Sequence, residues 1–135
     1  MRTKSGLALV GLLTALSITP TRGHHAFSAE FDATKPVKFD NATVVKLELV
    51  NPHTWLHIDV LGSAGKVERW AIEAGTPNVL FRRGFTKQSL PPGTKIVVDG
   101  YRAKDGSRRA NGRNLTFPDG KILFLGSSGT GAPEP

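Results

Sequence analysis

The period of the sequence changes once, at Thr76-Pro77, and that change limits the folds open to the chain. On either side of it apolar residues recur at every second position, the spacing of half-buried strands, between breaks rich in Pro, Gly, Asn and Asp. Thr76 reads as an N-cap with Pro77 in the first helical position; Val79, Leu80 and Arg83 follow, and Gly84 supplies the stop. One short helix is therefore set among strands.

The strands can be placed from their alternation. Over residues 37–50, Val37, Phe39, Thr43, Val45, Leu47 and Leu49 fall on one face, with Lys38, Asp40, Lys46 and Glu48 mostly on the other. Asn51-Pro52 interrupts that strand, because proline offers no N–H and restricts the residue before it. Over 53–60 the inward face is Thr54, Leu56, Ile58 and Val60, and His53, Trp55, His57 and Asp59 point outward. A Gly-Ser-Ala-Gly turn leads to a third strand over 66–73, in which Trp70 and Ile72 share a face. Beyond the helix, strands are expected over 95–103, 109–117 and 121–125, separated by Lys104-Asp105-Gly106 and Pro118-Asp119-Gly120.

Three strands, a helix and two or three further strands is the element order of the OB-fold, a small Greek-key barrel with its helix between the third and fourth strands. The expected architecture is all-β with one short helix, a five- or six-stranded OB-like barrel over 37–125. A meandering barrel is the alternative. Residues 24–36 read as an extended lead, and the small, polar, proline-containing stretch 126–135 as a disordered tail.

The amino terminus has the layout of a secretory signal peptide: Arg2 and Lys4, an uncharged apolar run over 7–18, then Pro20. The run is too short for an ordinary membrane span, and no later segment is long and apolar enough to be one. Thr21 and Gly23 are small residues at the third-last and last positions of a cut before His24, so residues 1–23 are expected to be removed. A rival cut after Ser28, with Ala26 and Ser28 at the small positions, would discard both His24 and His25. The expected location is the periplasm or the outside of the cell. Zero cysteines leave stability to the core.

The formal charge of +7 overstates the processed chain, because three of the 18 basic residues (Arg2, Lys4 and Arg22) lie in the leader and none of the 11 acids does, which leaves +4. That excess is compatible with anionic surfaces without requiring them, and export argues against nucleic acid as a partner.

Four stretches, HHAFSAEFD, VNPHTWLHIDV, WAIEAGTPNVLFRRGF and VVDGYRAKDGSRRANGRN, carry a resemblance to a family of small exported bacterial proteins known only as a domain of unknown function. The resemblance implies export and one small β-domain. It implies no activity and no catalytic residue.

All four histidines, His24, His25, His53 and His57, lie early in the processed chain. A cut before His24 frees an α-amine with a midpoint near ~8, and an amino-terminal histidine chelates through amine and ring together. Nitrogen-rich sites of this kind suit Cu(II) first, then Ni(II) and Zn(II). His53 and His57 sit on one strand face roughly 13 Å apart, too far to share an ion, so one of them would have to meet the amino-terminal pair. Asp59 is a candidate second carboxylate to orient a histidine ring. The competing reading keeps His24-His25 as a flexible end and the other two as ordinary turn and strand residues.

A second candidate site is organic or anionic. Trp55 faces outward as a stacking platform, and Arg102, Lys104, Arg108, Arg109 and Arg113 gather around one hairpin, where they either suit a lipid, a saccharide or an envelope protein partner or form an ordinary solvated face. Arg82-Arg83 complements the helix dipole. Catalytic signatures are poor: the chain has no cysteine, no GxSxG, no HExxH and no phosphate-binding glycine loop. Glu30, Asp32 and Glu73 qualify as acids or bases only if one of them converges with a histidine. A binding or accessory protein that holds copper is the leading expectation, and a copper oxidase comes last.

Overall fold

The computed structural model describes residues 23–126. The stretch up to residue 22, expected from its sequence to be a signal peptide, and the stretch from residue 127 lie outside them, and so do the side chains of His24 and His25. The elements in chain order are α1 (Gly23–Glu30), β1 (Phe31–Glu48), β2 (Thr54–Leu61), β3 (Val67–Ala74), α2 (Pro77–Arg82), β4 (Lys95–Ala103), β5 (Arg109–Thr116) and β6 (Ile122–Phe124).

Strand β1 pairs antiparallel with both β2 and β4, β2 with β3 and β4 with β5, and a parallel β3–β5 seam closes the ring. This is the five-stranded closed sheet of an OB-fold, with β6 added along β5. The barrel is filled by Leu56, Ile58, Ile72, Leu80, Val98 and Leu115, each at most 2% exposed. Burial of each such side chain is worth about 1.5–3 kcal/mol.

One strand can serve two neighbours because β1 bends. Its ladder slips between Phe39 and Ala42 and again between Val44 and Lys46. The first slip reverses the expected facing: Ala42 and Val44 are buried, at 0% and 1% exposure, where simple alternation places Thr43 and Val45 inward. The second restores the original phase, and Leu47 and Leu49 pack on the core as expected.

The ring also needs two strands to touch. Gly100 of β4 pairs with Gly112 of β5, and a Cβ on Gly100 would lie 2.1 Å from the Asn111 carbonyl oxygen. No side chain fits there.

Helix α2 forms as its sequence predicts. Thr76 is extended, its hydroxyl accepts from the Val79 N–H at 3.3 Å, Pro77 opens the helix and Gly84 leaves it at φ +85°. Leu80, fully buried, carries this helix into the barrel core.

The lead over 24–36 is not extended throughout. Gly23–Glu30 is helical, and β1 begins at Phe31. So short a helix is not stable alone and is held by what it packs on. Phe27 stacks on Phe31 at 5.9 Å and meets Tyr101 edge-on at 5.7 Å, in a small second core with Ala103 outside the barrel. Pro36 is tolerated within β1 because it sits at a slip in the β1–β4 ladder.

Candidate functional site

Cross-strand register places a row of residues on the outer wall of the barrel. Trp55 of β2 pairs with Glu73 of β3, Glu73 with Asn111 of β5, and Asn111 with Tyr101 of β4. The row ends under α1, since Phe27 covers Tyr101. An outward-facing residue is ordinarily wet, but Glu73 is 8% exposed and Asn111 1%.

His53, one residue ahead of β2, brings Nδ1 to 3.3 Å from Glu73 Oε1. The approach is within ion-pair range but not aligned as a hydrogen bond, so Nδ1 is buried without a hydrogen-bond partner. Burial pushes the Glu73 carboxyl above the usual carboxylate range; His53 opposes that push, Glu30 adds to it, and Arg109 and the Asn111 side chain oppose it. Asn111 gives Glu73 a side-chain hydrogen bond, and its Oδ1 is buried and unpartnered. A ring nitrogen, donor or acceptor according to its tautomer, and an unpartnered amide oxygen thus flank one buried carboxylate.

Helix α1 is fastened beside this cluster. Arg109 reaches Glu30 Oε2 and Asp105 Oδ2, each at 3.2 Å, and lies over the Phe31 ring. The backbone N–H of Lys104 donates to the Glu30 carbonyl at 2.8 Å. Of the three acids considered from sequence, Glu73 converges with a histidine, Glu30 is spent on Arg109, and Asp32 bonds Thr34.

His57 lies elsewhere. Its Nε2 is 2.8 Å from Glu48 Oε2 across the β1–β2 pair. Glu48 is held below the usual carboxylate range, first by its bond to Lys46 and then by His57. His53 and His57 therefore hold different carboxylates. Asp59 orients no histidine: it binds Arg69 through two bonds of 2.8 and 3.0 Å, which lower its own pKa. Among the described residues no group of three or more His, Asp or Glu side chains is placed to hold a metal ion.

The basic hairpin is partly neutralised. Arg108 pairs with Glu68 at 3.3 Å, Arg109 is engaged as above, and Arg102 lies 5.4 Å over the Trp70 ring. Trp70 is in the core against Phe39, as expected, while Trp55 is half-buried on the outer wall. Arg83 does more than sit near a helix end, because its Nη1 donates to the carbonyls of Phe124 (2.9 Å) and Gly126 and so ties β6 to α2. Asn111 escaped the sequence reading altogether, since its neighbours Ala110 and Gly112 give β5 no clear alternation.

The chain belongs to a family of unknown function (DUF6152), matched over residues 12–113. No curated protein matches it, and no solved structure does.

Proposed function

We propose that this member of the family is an exported, non-enzymatic accessory protein that binds copper through its amino-terminal histidine pair and His53, with Glu73 as the adjoining carboxylate. The observation that carries the reading is the pair of buried atoms without a hydrogen-bond partner, His53 Nδ1 and Asn111 Oδ1, on either side of Glu73. With its ring proton on Nε2, His53 joins Asn111 Oδ1 and the Glu73 carboxylate in offering electron pairs, a set complementary to a cation. The backbone of α1, which starts Gly23-His24-His25, is fastened beside that cluster through Arg109 and Glu30. Imidazole and amine nitrogens favour Cu(II) among common divalent ions. His57 is the weaker third ligand, because Glu48 already occupies its Nε2.

Export and the processing position belong to the same proposal. A cut after Ser28 would remove Phe27 and expose Phe31 and Tyr101, whereas a cut before His24 keeps the small second core whole. The second cut also leaves His24 with a free amine.

The competing reading, a site for an organic anion at Trp55 and the hairpin, has less support, because Arg108 and Arg109 are already paired with acids. The test is a Cu(II) titration of the processed protein, its first residue established by mass spectrometry. One tight equivalent is expected, weakened by His24→Ala, His53→Ala and Glu73→Gln and retained in His57→Ala. Absence of one-to-one binding, or binding indifferent to His53→Ala, would overturn the reading.

A further inference from the structure

Arg113 has no role in the copper proposal, yet it is an unusual arginine. It stands two positions beyond Asn111 on β5, with its carbonyl accepting from the Leu125 N–H at 2.7 Å, so the backbone beneath it is fixed by the strand and by the segment after β6. Its side chain is half-buried, and Nε is fully buried with no hydrogen-bond partner among the described residues. No carboxylate among them pairs with it, in contrast to Arg69, Arg108 and Arg109. A guanidinium carries five N–H donors and cannot shed its charge. With Nε sealed from solvent, the Nη1 and Nη2 groups at the end of the fork are the donors that an outside acceptor reaches, and they too have no partner among the described residues.

The acceptor has a place to sit. Arg113 lines a cleft of about 320 Å³ with Pro36, Val37, Lys38, Asp99 and Tyr101. Lys38 binds Asp40 at 2.9 Å, and Asp99 accepts from the backbone and side-chain N–H groups of Asn114, each at 3.4 Å, which leave its negative charge in place. Arg113 is the cation of the cleft that has no acid partner among the described residues; its fork matches a carboxylate, and the charge of Asp99 disfavours a dianion. Pro36, Val37 and the Tyr101 ring provide apolar walls. The cleft lies at the lower end of the size range of small-molecule pockets, with room for a body of about one ring.

We infer that Arg113 marks a binding site for a small organic monocarboxylate, with the carboxylate on the guanidinium and an apolar body between Pro36 and Tyr101. This site is separate from the copper proposal and stands on different residues.

Benzoate is the probe, and benzamide and inorganic phosphate are its controls, each titrated into the full processed protein. The readout is ¹⁵N–¹H correlation spectra, followed at the Arg113 Nε–H and the amides of Lys38 and Tyr101. Saturable shifts are expected with benzoate and none with benzamide or phosphate. Arg113→Gln should weaken benzoate at least about tenfold, and Arg113→Lys, which keeps the charge and loses the fork, by less. The inference is overturned if benzoate gives no saturable shift at Arg113, if benzamide or phosphate binds as well as benzoate, or if folded Arg113→Gln binds unchanged. Should Arg113→Gln fail to fold, the wild-type comparison of benzoate with benzamide at the Arg113 Nε–H decides on its own.

Discussion

His53 and Glu73 meet at 3.3 Å from opposite ends of two strands, one residue before β2 starts and one before β3 ends. The antiparallel β2–β3 register brings them together, since it sets Thr54 against Ala74 and Trp55 against Glu73. Twenty residues of chain separate the two side chains, yet the contact is as well determined as the ladder that makes it.

The pH response of Glu73 follows from its burial. Its carboxyl holds a proton more tightly in the folded chain than in the unfolded one. Its contribution to stability is therefore present below the ordinary value of 4.5 and is lost as pH rises through the elevated folded value. Glu73→Gln should remove that decline, so that the metal-free variant is more stable than wild type at neutral pH and no more stable in acid. Urea unfolding at pH 4 and pH 7 with a chelator present measures the difference, and an equal difference at both pH values would contradict it.

Phe27→Ala should release α1. The substitution removes both aromatic contacts of the helix, and large-to-small changes of buried phenylalanine cost about 3–5 kcal/mol. Because α1 packs outside the barrel, the expected loss is local. Amide exchange over residues 23–30 should accelerate, with the far-UV spectrum of the barrel retained; unchanged protection there would show that Phe27 is not what holds the helix.

Gly100→Ala tests the closure of the ring. The added methyl would meet a backbone oxygen at 2.1 Å, and neither strand can retreat without breaking the β4–β5 ladder. Overpacking of this kind costs about 1–3 kcal/mol and more where backbone is the obstacle, so the variant should unfold at markedly lower urea or accumulate insoluble. Gly93→Ala has open space around its Cβ and only an unfavourable φ of +91°, so it should cost about 1 kcal/mol.

Two adjacent arginines should behave differently. Arg83→Ala removes the donor to the Phe124 and Gly126 carbonyls and the cation held 4.9 Å over the Phe124 ring, for an expected loss of about 2 kcal/mol. Arg82→Ala, on an exposed position in the last turn, should stay within about 0.5 kcal/mol. Thermal unfolding of the two variants side by side makes the comparison; equal shifts would mean that the tie to β6 carries no stability.

Local chemistry determined a large part of this molecule. Thr76, Pro77 and Gly84 specify the start and end of α2 through their own hydroxyl, ring and absent side chain. Leu56, Ile58, Trp70 and Ile72 declare the inner faces of β2 and β3 because a regular strand has period two and these strands are regular. Lys95–Ala103 is bounded by turn residues and forms a strand over the expected residues. From these elements the order of the barrel can be read along the chain.

What only the tertiary structure decided depends on contacts between distant residues. The two slips in β1, which bury Ala42 and Val44, arise because one strand must bend to serve two neighbours, and no residue within 39–46 announces that demand. Helix α1 exists because Tyr101, some seventy residues away, offers Phe27 a surface. Glu73 and Asn111 alternate outward like any surface residues, and they are buried only because the β3–β5 seam joins them. The different partners of His53 and His57 are of the same kind. Which carboxylate each ring meets across the sheet is a matter of register between strands, which strand periodicity alone does not encode.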